Sequence, residues 1–199
     1  MVFGGSEQVS DTLIPTSIKI VVAGGFGVGK TTMVNSVSEI PPLRTEEMLT
    51  EASVGVDELV GIEGKETTTV ALDFGRITIN PQIVLYMFGT PGQNRFWFMW
   101  DELAHGALGA IVLIDTRRLD SSFPSIDFFE RRNIPFIIAV NGFEGAWPHT
   151  ADEVRQALDI DPSVPVVPCD ARDRESSKGV LVELVQYTMK RLERTPRSA

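Results

Sequence analysis

A glycine-rich segment between a strand pattern and a helix pattern constrains the fold of this 199-residue chain more than any other feature. Residues 24–31 read GGFGVGKT and fit the pattern G-x-x-x-x-G-K-S/T. The β-branched run at 18–23 predicts a buried strand before the segment, and residues 30–39 predict a helix after it. Glycines let the backbone N–H groups of such a turn converge on an anion, and the helix adds the positive end of its dipole. The segment therefore predicts a site for the phosphates of a nucleoside triphosphate.

The side chains of this segment have distinct predicted roles. Lys30 is expected to reach the β- and γ-phosphates and to neutralise charge during catalysis. The hydroxyl of Thr31 is expected to ligate Mg²⁺. The predicted nucleotide contacts within the segment are Gly25, Phe26, Gly27, Val28, Gly29, Lys30, Thr31 and Thr32.

Beyond this segment, short apolar runs alternate with longer helical patterns, which is typical of a parallel sheet covered by helices. Further strands are predicted at 67–80, where Gly75 favours a bend, and at 83–88, 109–114, 136–140 and 164–167. Further helices are predicted near 94–105, 121–132, 151–158 and 176–193. The sheet-facing side of the last helix is expected to carry Leu181, Leu184, Val185, Thr188 and Leu192. We expect one α/β domain over residues 17–193, with an N-terminal extension at 1–16 and a tail at 194–199.

The composition excludes several kinds of partner and site. Lys and Arg number 18 against 27 Asp and Glu, a net charge of −9, which argues against binding nucleic acid through a basic surface. A single cysteine, Cys169, excludes an intrachain disulfide and a multi-cysteine metal site. The chain lacks a signal-peptide pattern and a membrane-length apolar stretch, so we expect a cytoplasmic protein. Basic residues near the C-terminus fit either a helix end that favours cations or a weak peripheral contact with an anionic membrane.

Four later segments resemble the motifs of one protein family. Residues 69–74 read TVALDF and resemble the switch I sequence T-I-G-x-D-F of Rab-type small GTPases, and residues 89–93 read GTPGQ and resemble the switch II sequence D-T-A-G-Q. Residues 141–144, NGFE, lie where N-K-x-D recognises guanine, and residues 169–172, CDAR, lie where S-A-K backs the base.

The chain therefore resembles a Ras-like small GTPase over about residues 17–193. This resemblance implies an α/β P-loop NTPase fold, a Ras-like G domain with a mostly parallel central sheet flanked by helices. It also implies a molecular switch that binds GTP or GDP with Mg²⁺ and hydrolyses GTP slowly.

The resemblance is closer to the small GTPase-like proteins of actinobacterial conservon operons, on the runs GGFGVGKTT, LRTEE, TTTVALDFGRI, FGTPGQNRFWFMW and DTRR. That branch is similar to the polarity GTPases of bacterial gliding motility. Its operons also encode a roadblock-fold protein and a sensor-kinase-like protein. The resemblance thus implies these two proteins as partners.

By the same resemblance, single residues take up roles at the phosphates. Thr69 would place its hydroxyl on Mg²⁺ and its N–H on the γ-phosphate, with Thr67 and Thr68 as competing choices. Gly92 would donate its N–H to the γ-phosphate, and Gln93 would position the attacking water.

The resemblance also implies which residues meet the base. Asn141 and Glu144 would recognise guanine by its edge. Ala171 and Arg172 would lie behind the base, and Arg172 would stack on it in place of the lysine of the S-A-K motif.

Three departures from the motifs leave alternatives open. Gly89 stands where switch II usually begins with an aspartate near Mg²⁺, so we expect weaker metal binding. Gly142 stands at the lysine of the guanine motif and Glu144 at its aspartate, which weakens the preference for guanine over adenine. Two rival functions follow: a nucleotide-binding scaffold without hydrolysis, or an ATPase in which Asp115, at the end of an apolar strand, binds the metal.

An aromatic run, FWFMW at 96–100, directly follows the switch II motif. Helical spacing would bury one face of the run and turn Trp97 and Phe98 elsewhere. One interpretation is a partner surface beside the nucleotide, and the other is complete burial beneath a loop. The face expected in the core comprises Phe96, Met99, Trp100 and Leu103.

Overall fold

The apolar runs form the strands of a single sheet, and the helical patterns between them cover its two faces. The computed structural model describes residues 14–41, 72–92, 96–143 and 147–194. The strands are β1 (Thr16–Ala23), β2 (Asp73–Asn80), β3 (Ile83–Gly89), β4 (Gly109–Ile114), β5 (Phe136–Asn141) and β6 (Val166–Cys169). The helices are α1 (Lys30–Val37), α2 (Phe98–Ala104), α3 (Phe123–Arg131), α4 (Ala151–Leu158) and α5 (Arg174–Arg194), and a 3-10 turn spans Leu119–Ser122.

The sheet has the strand order β2-β3-β1-β4-β5-β6. Strand β2 runs antiparallel to β3, and all other neighbours are parallel. The carboxyl ends of β1, β3, β4, β5 and β6 therefore meet at one edge, where ligands bind in open α/β sheets. The predicted α/β class and the mostly parallel sheet are confirmed.

Two apolar layers hold the helices on the sheet. Ile20 and Val22 of β1 belong to the layer beneath α1 and α5, whereas Val21 and Ala23 belong to the layer beneath α2, α3 and α4. A strand buried on both faces needs apolar residues at every position, which explains the continuous run that predicted β1.

The first helix ends two residues earlier than predicted because the chain turns to meet β2. Ser38 is extended, and the N–H of Glu39 donates to the carbonyl oxygen of Arg76 at 2.8 Å. Gly75 does not bend β2 as predicted: a Cβ there would lie 2.8 Å from a methyl carbon of Val34, so α1 packs directly on this residue. The irregularity of β2 lies between Thr78 and Asn80 instead.

Two other predicted boundaries are wrong. The predicted strand 164–167 is shifted to Val166–Cys169 because the N–H of Val164 closes a turn onto the carbonyl oxygen of Asp161 at 2.9 Å. The second helix begins at Phe98 rather than near residue 94, and residues 93–95 lie outside the described residues.

Helix α5 packs on the sheet through Leu181, Leu184 and Thr188, as predicted, but Leu192 is 65% exposed. Thr188 lies against Gly109, the first residue of β4, so the following turn of α5 has passed the end of the sheet. Among the residues that the structure describes, no helix combines the length and the apolar character needed to cross a membrane.

Candidate nucleotide-binding site

The turn between β1 and α1 is shaped by glycines that no other residue could replace. Gly24 has a φ of +137°, and a Cβ at this position would lie 2.2 Å from the carbonyl oxygen of Leu113. Gly29 has a φ of +106° and caps α1 without a side chain. The first N–H groups of α1 have no partner within the helix and point beyond its end. The turn therefore offers backbone donors and a helix dipole to an anion.

Lys30 begins α1 and turns its side chain back over this turn. The side chain is only 7% exposed, and its Nζ donates to the carbonyl oxygens of Gly24 at 2.9 Å and Gly25 at 2.7 Å. Burial lowers the pKa of Lys30 to about 8, and the carboxylate of Asp73 opposes this effect. The side chain of Lys30 therefore stays largely in its charged ammonium form at pH 7. Two of its three donors are engaged, which leaves one for a phosphate oxygen.

A hydroxyl and a carboxylate meet beside Lys30. Thr31 Oγ1 donates to Asp73 Oδ2 at 2.7 Å, and Asp73 at the start of β2 pairs with Gly89 at the end of β3. A Cβ on residue 89 would lie 2.9 Å from Asp73 Oδ2, so the glycine leaves the space that this carboxylate occupies. The resemblance would place an aspartate at residue 89, and the neighbouring strand supplies a carboxylate, that of Asp73, at this point instead. Hydroxyl and carboxylate oxygens are ligands that suit Mg²⁺.

The motifs do not predict the place of Asp73 beside Thr31, although the departure at Gly89 was a signal to look for another carboxylate. The antiparallel register of β2 on β3 brings Asp73 there, and motif spacing does not reveal that register.

Gly92 touches the turn between β1 and α1 at residues 24–29, which we call the phosphate turn. A Cβ on Gly92 would lie 3.0 Å from Lys30 Nζ and 3.0 Å from Phe26 Cα. Only a residue without a side chain fits this approach. Three predicted site residues, Thr69, Gln93 and Glu144, lie outside the described residues, and their roles stay predictions.

Asn141 joins three of the predicted motifs. Its Nδ2 donates to the carbonyl oxygen of Val28 at 3.0 Å, and its Oδ1 accepts from the N–H of Ala171 at 3.1 Å. The end of β5, the phosphate turn and the loop after β6 are thereby tied together by one side-chain amide.

Arg172 lies beside this tie but is held by a carboxylate. Its Nε donates to Asp170 Oδ1 at 3.0 Å and its Nη2 to Asp170 Oδ2 at 2.9 Å. These hydrogen bonds hold the pKa of Asp170 below its usual range. The predicted stacking of Arg172 on the base would require the guanidinium to leave Asp170 or to stack while paired.

Asp115, the metal ligand of the ATPase alternative, is engaged by arginines. The residue is 2% exposed, and Arg117 binds it with Nε to Oδ1 and Nη2 to Oδ2, both at 2.9 Å. Hydrogen bonds from Arg117 hold the pKa of Asp115 below its usual range. This pairing occupies both carboxylate oxygens of Asp115 and favours a structural role for the residue over the metal ligand of the ATPase alternative.

Arg118 approaches the phosphate turn from the same loop, a contact that the sequence analysis missed. Its Nη2 lies 3.4 Å from the carbonyl oxygen of Phe26. The run DTRR at residues 115–118 was the only sequence signal for this contact, and it does not show which of its two arginines approaches the phosphate turn.

The aromatic run at residues 96–100 divides between the two interpretations. Phe96 and Trp100 are buried as predicted, and Trp97 stacks on Trp100 with ring centroids 4.3 Å apart. Phe98 is 62% exposed and lines a groove of about 660 Å³ between α2 and α3. Trp97 is therefore part of the packing, and Phe98 remains available to a partner.

A protein family described as conserved hypothetical ATP binding proteins matches residues 22–191, and the chain belongs to this family. An uncharacterized protein of Methanocaldococcus jannaschii, MJ1339, is 31% identical over 126 residues, which cover 62% of this chain and 69% of that protein.

Two solved G domains share the fold. The G domain of the T. maritima FeoB iron transporter superposes with a TM-score of 0.61 at 16% identity, covering 86% of this chain and 99% of that one. The FeoB G-domain from Methanococcus jannaschii gives a TM-score of 0.57 at 14% identity, covering 87% and 98%. The chain is a nucleotide-binding protein with a G-domain-like P-loop fold.

Proposed function

We propose that this member of the family is a molecular switch that binds GTP and GDP and hydrolyses GTP slowly. The observation that carries the proposal is the double hydrogen bond of Asn141, to Val28 of the phosphate turn and to Ala171 of the loop after β6. These two hydrogen bonds join the phosphate end of the site, which is the turn at residues 24–29 with the start of α1, to its expected base end, which is the loops after β5 and β6. Lys30, Thr31 and Asp73 already converge at the phosphate end.

The site fits a magnesium ion. Thr31 and Asp73 would hold it, with Thr69 as the further ligand that the resemblance implies. Bound there, Mg²⁺ would neutralise charge on the β- and γ-phosphates.

The reaction is an in-line attack of water on the γ-phosphorus. The bond from the water oxygen to the γ-phosphorus forms, the bond from the γ-phosphorus to the bridging β-phosphate oxygen breaks, and GDP leaves with the electron pair of that bond. The proton that the water loses ends on the released inorganic phosphate. Lys30 and the N–H groups of the turn stabilise the charge that builds on the oxygens. Gln93 orients the water.

Switching follows from the position of Gly92. Its backbone lies beside Lys30 and Phe26, where a γ-phosphate held by Lys30 would arrive. A γ-phosphate there would accept a hydrogen bond from residue 92 and reposition the segment, whereas GDP would not.

Hydrolysis is tested by single-turnover assays on the wild-type protein and Gln93→Leu. The wild type is expected to convert GTP slowly, and Gln93→Leu is expected to bind GTP with unchanged affinity and lose turnover. Gln82→Leu, at an exposed turn, is the matched control and should keep the wild-type rate. A wild type that binds GTP but never turns it over would instead support the scaffold alternative.

ATP is the second candidate nucleotide. It is favoured by the ATP-binding description of the family and by the loss of the motif lysine at Gly142. Glu144→Ala separates the candidates because its carboxylate would accept from the two guanine donors that adenine lacks. We expect GDP affinity to fall by about 1–3 kcal/mol with ADP affinity unchanged. Glu175→Ala on α5 is the matched control, and ADP binding as tight as GDP in the wild type would favour ATP.

We place a roadblock-fold partner, implied by the resemblance alone, on the α2–α3 groove around Phe98. Phe98→Ala should abolish partner-stimulated turnover and leave basal turnover and folding unchanged, because this ring is mostly exposed. Trp97→Ala should instead destabilise the protein by about 3–5 kcal/mol, because Trp97 packs on Trp100 and Phe128. The sensor-kinase-like partner and the peripheral membrane contact stay predictions.

A further inference from the structure

An indole ring covers the backbone on both sides of Asn141. Trp147 Nε1 donates to the carbonyl oxygen of Val140 at 3.1 Å, on the residue before Asn141. Its ring lies over Gly142, the residue after Asn141, where a Cβ would come within 2.5 Å of Cε2 and 2.7 Å of Cζ2. The ring therefore requires glycine at residue 142, and it contacts the backbone of the two residues that flank Asn141, whose side-chain amide ties the phosphate turn to Ala171.

The position of the ring gives the Gly142 departure a physical meaning. A lysine at residue 142 would collide with the indole, so the flat ring occupies the space in which the stem of that lysine would begin. Trp147 is 43% exposed although its one polar atom is already hydrogen-bonded. The indole is thus fixed against the backbone of Val140 and Gly142 while nearly half of the residue's surface remains exposed to solvent.

A fixed, half-exposed aromatic ring has a specific chemical use in a protein that binds nucleotides. Nucleobases are flat and aromatic, and they stack on tryptophan rings through their faces rather than their edges. Stacking of this kind tolerates any base, because every base has a π-face. The hydrogen bond to Val140 fixes the orientation of the ring before a ligand arrives, which reduces the entropy lost on binding.

We propose that the indole of Trp147 is the platform on which the purine of the bound nucleotide stacks, taking the place of the side chain that Gly142 lacks. The proposal rests on the nucleotide-binding function and adds to it a division of labour. Trp147 supplies affinity for purines in general, and it does not discriminate guanine from adenine. Loss of the ring should weaken GDP and ADP by the same factor, about tenfold.

The test is calorimetric titration with GDP, ADP and inorganic tripolyphosphate, which carries phosphates and no base. Trp147→Ala is expected to weaken GDP and ADP equally and leave tripolyphosphate binding unchanged. Trp147→Phe keeps an aromatic face but loses the hydrogen bond to Val140, and it should retain most of the affinity. Trp97→Phe, in the α2–α3 packing, is the matched control and should bind all three ligands like the wild type.

A second readout covers the case in which Trp147→Ala does not fold. GDP should quench the tryptophan fluorescence of the wild type, tripolyphosphate should not, and the quenching should disappear in Trp147→Phe.

Any of three results would overturn the proposal. They are an unchanged GDP affinity in folded Trp147→Ala, a GDP quenching that persists in Trp147→Phe, and a loss of tripolyphosphate binding in Trp147→Ala equal to the loss of GDP binding. If the wild type binds tripolyphosphate but neither nucleotide, both the platform and the proposed function fail. If the wild type binds GDP but the Trp147 variants do not show the expected loss of affinity or quenching, only the stacking role of Trp147 fails and the proposed function stands.

Discussion

The phosphate end and the base end of the site are built by different means. At the phosphate end, β1, the glycine turn and α1 form one continuous segment, and its donors are backbone N–H groups and Lys30. At the base end, the loops after β5 and β6 are separate in the chain and are joined through the side chain of Asn141. The first end depends on local backbone geometry, and the second depends on particular side chains.

This difference explains why the two ends keep their motifs unequally. A backbone site fails when a glycine such as Gly24 acquires a side chain, because its φ and its contact with Leu113 both exclude one. A side-chain site can be rebuilt with other residues that reach the same place. Trp147 over Gly142 is such a replacement at the base end.

The comparison predicts the largest effect for Lys30→Ala. Removing the buried ammonium should reduce GTP affinity by more than about 100-fold, because it deletes the cation that faces the phosphates. Calorimetric titration measures this loss, and circular dichroism checks that the variant is folded. Lys178→Ala on α5, where the lysine pairs with Glu175, should bind GTP like the wild type. Normal GTP binding by Lys30→Ala would show that the phosphate end is assigned wrongly.

An intermediate effect is expected for Asn141→Ala, because it cuts the connection between the two ends. The carbonyl oxygen of Val28 and the N–H of Ala171 lose their partner, so the free energy of unfolding should fall by about 2–3 kcal/mol. GDP affinity should fall with it, by about tenfold or more. Denaturant unfolding and GDP titration measure the two effects. Asn80→Ala, in the β2–β3 turn, is the control and should leave GDP affinity unchanged. If Asn141→Ala changed neither quantity, the two ends would not be coupled through this amide.

The smallest effect is expected for Asp73→Asn. The amide oxygen can still accept the hydrogen bond from Thr31, so folding should be little changed, but the negative charge toward the metal is lost. The Mg²⁺ concentration needed for half-maximal strengthening of GDP binding should rise about threefold to tenfold. Asp120→Asn, on the exposed 3-10 turn, should not shift it. An unshifted Mg²⁺ requirement in Asp73→Asn would leave the carboxylate as a structural partner of Thr31.

The sequence predicted the parts of the molecule in which a local pattern determines the structure. The bounds of β4 and α4 are as predicted, because Gly109–Ile114 is apolar throughout and Thr150 and Glu153 form a capping box before α4. The phosphate turn was also predictable, since its glycines, lysine and threonine are contiguous.

The remaining features depend on pairings between distant segments. The pairing of β2 with β3 sets Asp73 opposite Gly89. Strand β2 also determines how the chain leaves α1, because the N–H of Glu39 donates to the carbonyl oxygen of Arg76. The contact of Trp147 with Gly142 joins residues only five positions apart, but no helical or strand spacing predicts it. The exposure of Leu192 depends on where the sheet ends beneath α5, which helical spacing does not report.

We propose that one continuous site of this fold holds a guanine nucleotide with Mg²⁺. Calorimetric titration of the wild-type protein and of Lys30→Ala with GDP, GTP, ADP and ATP, each with and without Mg²⁺, decides whether it does. We expect GDP and GTP to bind the wild type more tightly than ADP and ATP, Mg²⁺ to strengthen their binding, and Lys30→Ala to bind none of the four measurably. The proposal fails if the wild type binds none of the four, if it binds ADP and ATP as tightly as GDP and GTP, or if Lys30→Ala binds them like the wild type.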